Sequence, residues 1–470
     1  MSTVLDLQRE LWIRTAVRVE LQDAFCRSDL EEARYAFLQD FPEEVESLPS
    51  EVVVREAESR NCILLGDHHA LPRSQEEALF WLERLQPDWI ALEWLTANAQ
   101  ETCDRWMLGD RSGEALLDAC KWEKTWGRFP RRPMVELCER ARAQCTAILA
   151  LDHPERDRLD MDARERFMAS RCLRKGRGLV LVGSLHLSRR RLPNLLADRR
   201  PLVLLQDHPE YWFRLQDRGE PLPAWCAAGP DRFVHLHTHP LLIEESTLAC
   251  LSGDRLCDIY SIEEDFAHIL EVFTRRLGLP PVPLPVILSS FDPEQRETLR
   301  ILVPDPFEAE RLLDRLEVHG SALLSKEGPL VLHRPWVHAM AEAAGRWYHA
   351  VTDPHPFKPK GLRGRFRVEL EREFFAFSAS LFLDPLRTPP PLSETPRLHS
   401  IETAPEELEL RGIHLLQAVL AHGESPSIEL PEPDSPEGLL LIRWTGQELA
   451  RLRFEGWPED PAGSVLAPFA

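Results

Sequence analysis

Two short motifs concentrate the residues of this chain that could do chemistry. ILLGDHH ends in Gly66-x-x-His69, LVLVGSLH ends in Gly183-x-x-His186, and between them IALEW carries Glu93. Two imidazoles and a carboxylate are a donor set for a divalent metal, which would lower the pKa of a bound water. Without a metal, Glu93 with one histidine could activate water as a general base. Asp67 and His68 stand beside His69 and are candidates to support the trio or relay a proton.

Other ionisable residues repeat the pattern of an apolar run followed by a polar end. Asp152 and His153, Asp207 and His208, and finally His239 each follow such a run, and eight of the 17 histidines lie between residues 61 and 245. His235, His237 and His239 form an H-x-H-x-H run, which strand alternation would place on one face. That suits either a metal-ligand array or a half-buried strand with exposed histidines. The cluster SRRRLP after His186 supplies Arg189 and Arg190, which could receive a carboxylate or propionate or simply form a solvated loop. With His153 and His208 they make up the candidate cofactor-binding residues.

Residues this far apart in sequence meet only if a fold gathers them. From residue 62, short apolar runs alternate with amphipathic segments, which predicts an α/β domain with a largely parallel sheet flanked by helices. Strands are expected over 62–66, 88–93, 146–152, 178–184, 201–206 and 232–237, with helices over 75–85, 134–144 and 161–173. Each strand end then carries an ionisable group. In open parallel sheets ligands bind beyond the carboxyl ends of the strands, so one crevice would collect them.

On these residues the chain resembles the superfamily that groups ChaN-like haem-binding proteins with the TraB and Tiki proteins and the erythromycin esterases. ILLGDHHALPRSQEEAL is similar to the family's opening strand and helix, IALEW to its carboxylate-bearing second strand, and GLVLVGSLHLSRRRLPNLL to its closing GxxH strand. The tryptophan-bearing KWEKTWGRF, followed by MVELCERARAQCTAILALD, is most similar to the ChaN branch. The resemblance spans about residues 60–210. Asp67 and the doubled His68–His69 stand where ChaN-like sequences more often show Glu and a single histidine. The resemblance implies haem binding, metal-dependent peptidase activity or ester hydrolysis, with a divalent metal or haem as the cofactor.

The remaining chain is expected to divide into a helical lead-in over residues 1–60, the α/β domain over 61–245, and a mainly helical domain over 260–385. A proline-rich linker over 386–398 and a small α+β module over 399–470 would follow. Within the helical part, SALLSKEGPLVLH predicts a hairpin, and Trp336, Met340, Ala344 and Trp347 predict a packed helix face. The last module should hold a helix over 404–422 and a hairpin turning at Thr445 and Gly446.

Composition narrows the function classes. Against 56 Lys and Arg stand 77 Asp and Glu, a formal charge of −21 that repels phosphate backbones, so nucleic acid is not an expected partner. A small molecule or peptide is. No apolar run approaches the ~20 residues of a membrane helix, and the N-terminus lacks the pattern of a signal peptide or a lipobox, which predicts a cytoplasmic protein. Ten scattered cysteines without a CxxC pair are expected to be reduced. With no P-loop, no GxGxxG after the first strand and no GxSxG elbow, three functions stay in view. They are hydrolysis of an amide or ester at His69, Glu93 and His186, non-catalytic haem or iron binding, and a degenerate scaffold with an interaction role.

Overall fold

The computed structural model describes residues 4–23, 28–109, 111–252, 262–276, 278–290, 292–333, 336–352, 362–384, 431–433 and 435–455, together with Arg387, Arg411 and Ile413. Two compact units divide the chain: Trp12–Gly253, and residues 1–11 with 254–470.

The first unit is built on one sheet. Its strands are β1 (Ser47–Leu48), β2 (Cys62–Asp67), β3 (Trp89–Thr96), β4 (Ala147–Asp152), β5 (Gly178–Gly183), β6 (Leu202–Gln206), β7 (Ala224–Ala227) and β8 (Arg232–Leu236). They lie in the order β1-β7-β8-β6-β2-β5-β3-β4. The six from β8 to β4 run parallel, and each corresponds to one of the six strands read from the apolar runs. Runs such as CILLGD and GLVLVG lack alternation because both faces are covered by helices, so nearly every position is buried. β1 and β7 extend the sheet antiparallel beyond β8.

One layer of the core joins Ile63, Leu65, Ile90, Leu92, Leu179, Leu181, Leu202 and Leu204 of the sheet to two helices. Helix Pro72–Leu85 gives Ala78, Trp81 and Leu82, and helix Arg132–Ala143 gives Leu137, Cys138 and Ala141. Helix Met161–Cys172 follows β4, with Asp160 capping its N-terminus through a 2.7 Å bond from the Ala163 N–H. The eight described cysteines form no disulfide.

The second unit contains helices Ile262–Arg276, Pro293–Leu302, Pro306–His319, Val337–Thr352, Leu362–Leu383 and Pro436–Glu455. Its small sheet comprises β9 (Ile287–Ser289), β10 (Ser321–Leu323) and β11 (Leu330–Leu332). The hairpin expected at SALLSKEGPLVLH is the β10–β11 pair, with Ser321 opposite Leu332. Met340, Ala344 and Trp347 are buried, as a packed helix face requires.

A second hairpin, expected around Thr445 and Gly446, is instead continuous helix. Gly446 there permits a close helix contact rather than a turn: a Cβ on it would lie 2.7 Å from the Glu373 Cβ and 3.2 Å from the Leu370 carbonyl. The proline-rich stretch, apart from Arg387, and most of 404–422 fall outside the described residues. No described helix is long and apolar enough to cross a membrane.

Leu181 is 1% exposed in β5, between β2 and β3. Leu181→Ala is therefore expected to cost about 2–5 kcal/mol, measured as a drop in the urea midpoint with an unchanged far-UV spectrum before the transition.

Candidate functional site

Register brings the two GxxH motifs together. β2 pairs with β5 so that Asp67 lies opposite Gly183, and β3 flanks β5 on its other side with Leu92 opposite Leu181. At Glu93 the β3–β4 pairing shifts register between Leu92 and Thr96, a strand irregularity of the kind that re-aims side chains. The Gly183 N–H donates to Glu93 Oε2 at 2.6 Å. A Cβ on Gly183 would sit 3.1 Å from His69 Nε2 and 3.3 Å from Glu93 Oε2, so the missing side chain is what lets both groups approach the strand end.

Both histidines turn an Nε2 toward Glu93. His69 Nε2 lies 3.7 Å from Oε2, and His186 Nε2 lies 3.3 Å from Oε1. Each Nδ1 is held by a different carboxylate, His69 by Asp67 at 2.7 Å and His186 by Glu165 at 2.8 Å. Asp67 is itself fixed, accepting from Ser74 Oγ at 2.8 Å and Gln75 Nε2 at 2.6 Å. His186 and Glu93 are almost completely covered, whereas the His69 side chain keeps 24% exposure. Trp126 and Phe129, from the tryptophan segment, meet the His69 ring edge-on at 4.9 and 5.8 Å. The Arg156 guanidinium lies 4.7 Å over Trp126.

Two arginines complete the network. Arg164 bridges Glu93 Oε1 at 3.1 Å and Asp152 Oδ2 at 2.8 Å, and Arg191 donates to Glu165 at 3.2 and 3.3 Å. The carboxylates of Asp67, Glu93, Asp152 and Glu165 thus face two guanidiniums and two imidazoles. Burial disfavours a charged Glu93, but His186, His69 and Arg164 outweigh it and hold its pKa well below the usual carboxylate range. Glu93 is thus held as an anion beside both imidazoles. Burial likewise opposes protonation of His186, yet Glu93 and Glu165 win and raise its pKa to about 9. For His69, burial is overcome by Asp67 and then Glu93, and its pKa also rises. Burial pushes Asp152 up despite Arg164.

Other expected site residues go elsewhere. His68 points to the opposite side of β2, its Nε2 2.7 Å from the Gln206 carbonyl of β6. His153 packs against Phe167 and its Nδ1 accepts from the Glu155 N–H, a local turn. His208 caps helix Pro209–Asp217, accepting from the Tyr211 N–H with its ring 4.0 Å from Phe41, and burial lowers its pKa to about 4. Arg189 is exposed and donates to the Ala228 carbonyl, and Arg190 is exposed. Of the three adjacent arginines it is Arg191 that reaches the network.

The H-x-H-x-H run also divides. His235 and His237 share a group with Glu77, and burial lowers the His237 pKa to about 3. β8 ends at Leu236, and the loop that leads into helix Pro240–Ser252 sets His239 against Trp212 and Phe213. Sequence reasoning missed Arg164, Glu165 and Glu77. A usable signal was their place within two turns of the start of the helix after a strand, next to the crevice.

The first unit is therefore an α/β fold with a charged, histidine-bearing cluster where its parallel strands β2 and β5 end. Residues 53–159 match the family described as Haem-binding uptake, Tiki superfamily, ChaN, so the chain carries a ChaN-like domain. That span includes Asp67, His69, Glu93, Trp126 and Phe129, while Glu165 and His186 lie beyond it. No curated protein and no solved structure matches the chain.

Raising the His186 pKa from 6.5 to about 9 adds stability that is fully present below pH ~6.5 and lost as pH rises through about 9. His186→Gln should lie below wild type at pH 6, by about 3 kcal/mol at most, with the gap closing above pH 9. Urea melts across pH 6–10 measure it.

Proposed function

We propose that the strand-end site activates water for hydrolysis of an amide or ester, with His69 as general base. The observation that carries this reading is the pairing of His69 with Asp67 at Nδ1, which leaves Nε2 3.7 Å from Glu93 Oε2. That separation is too long for a direct hydrogen bond and short enough for one water to bridge. His69 Nε2 would take the proton of that water as its oxygen attacks the carbonyl carbon, and return it to the departing alcohol or amine. Asp67 orients the ring and stabilises the imidazolium. Glu93, kept anionic by Arg164 and His186, holds the water and supplies negative charge beside His69. Trp126 and Phe129 form an apolar rim at the exposed edge of His69, suited to the side group of a substrate.

A divalent metal fits the same atoms, since each Nδ1 already donates to a carboxylate, as metal-bound histidines do, and each Nε2 faces Glu93. Bound there, it would supply a lowered water pKa. His69, Glu93 and a deprotonated His186 would hold it.

The family description favours a second reading, in which the ChaN-like domain binds haem. His69 is the histidine of the trio exposed enough to meet iron, Trp126 and Phe129 offer flat apolar contact, and Arg156 offers a cation to a propionate.

Wild type should cleave a chromogenic ester or amide panel, and His69→Ala should lower kcat/KM by about 10²–10⁴-fold. The acid limb of kcat/KM against pH should lie above 6.5, because His69 must lose its raised proton to act. An inactive wild type, or full activity in His69→Ala, sinks the hydrolytic reading. A haemin titration decides the second: a Soret shift lost in His69→Ala supports haem binding, and no shift in wild type excludes it.

A further inference from the structure

On the other side of β2 from the Glu93 network, a second group of side chains has no part in the proposed hydrolysis. Glu77 of helix Pro72–Leu85, His235 in β8 and His237 just beyond it each offer one ligand atom, all within 4.8 Å of one another. Residues 235 and 237 share a face through strand alternation, and the helix packed on that face brings Glu77 to them.

The details of the contact suit ligands that share one centre. His235 Nδ1 lies 3.2 Å from Glu77 Oε2, yet this buried nitrogen has no directed hydrogen bond among the described residues. Vertices of a tetrahedron with 2.0–2.1 Å bonds are about 3.3 Å apart, so the spacing is that of two ligands converging on a third point. The ligands are also held in place. Glu77 Oε1 accepts from Trp81 Nε1 at 2.9 Å, which leaves Oε2 forward, and Trp225 stacks on the His235 ring at 4.3 Å and 6°.

His237 has an oxygen on each nitrogen: Gln206 Oε1 3.1 Å from Nε2, and Thr238 Oγ1 2.8 Å from Nδ1. Gln206 cannot swing away, because its amide donates to the Gly66 and Ser74 carbonyls. Asp207 Oδ2 lies 3.5 Å from the same Nδ1, buried and without a hydrogen-bond partner among the described residues. Whichever nitrogen His237 yields, the other retains an acceptor, as metal-bound imidazoles do.

We propose that Glu77, His235 and His237 form a binding site for a divalent transition metal of the zinc class, separate from the trio at Glu93. Two imidazole nitrogens disfavour magnesium and calcium, and three protein ligands leave a fourth position for water or a substrate oxygen. The buried Asp207 carboxylate beside the site would gain a compensating positive charge.

Cobalt(II) added to the chelator-treated full-length chain tests this through its visible ligand-field absorption. In His69→Ala, which takes a ligand from the Glu93 trio, one equivalent should still bind, and adding Glu77→Gln or His235→Ala should weaken it by more than about 100-fold. Wild type and His186→Ala should show the same band. The proposal is overturned if wild type shows no such band, if the band survives when Glu77→Gln is added to His69→Ala, or if it is lost in His69→Ala alone or His186→Ala alone. Glu77→Gln keeps an oxygen for Trp81. Should His235→Ala fail to fold, Glu77→Gln decides with a second reading: zinc(II) should raise the Tm of His69→Ala and leave that of the His69→Ala, Glu77→Gln double variant unmoved. Absorbance reads the ion directly, so loss or retention of hydrolysis in any variant does not bear on this outcome.

Discussion

An ionised carboxylate buried within β3, where its pairing with β4 shifts register, governs the architecture of the first unit. Removing a charge from water costs several kcal/mol unless it is paired and hydrogen-bonded, and Glu93 meets that demand with groups from three directions. The Gly183 N–H comes from β5, the Arg164 guanidinium from helix Met161–Cys172, and the His186 imidazole from the turn after β5. Each partner then needs its own counter-group, which brings in Asp152, Glu165 and Arg191. Charge balance thus spreads through the crevice and ties together elements that are distant in sequence.

How much of this was legible follows from the range of each interaction. The six parallel strands could be read because burial on both faces demands unbroken apolar runs, and their polar ends fall where the runs stop. β7 and β1 could not be read: four residues and two carry no usable period, and β7 is a strand only because β8 offers a backbone to pair with, β1 only because β7 does. Arg164 and Glu165 look like an ordinary solvated pair on a helix, and only the β3 carboxylate and the histidine beside them make them part of the network. Gly446 misled for the opposite reason, since a glycine required by a neighbouring helix resembles one required by a turn.

The doubled histidine has a clear structural outcome. Consecutive residues at the end of β2 face opposite ways, so His69 joins the Glu93 network while His68 joins Gln206 on the side of Glu77, His235 and His237. One peptide segment therefore borders two polar clusters, with the central strand of the sheet between them.

The antiparallel strands beside β8 matter in a different way. Without them the parallel sheet would finish at β8, exposing a row of unpaired backbone groups to any other extended chain. β7 covers that row, placing Trp225 directly opposite His235, and β1 in turn covers β7 at Ser47 and Leu48. The sheet on this side ends in a strand of two residues, too short to template the addition of another chain. The margin that carries the histidines is thereby protected from edge-to-edge aggregation.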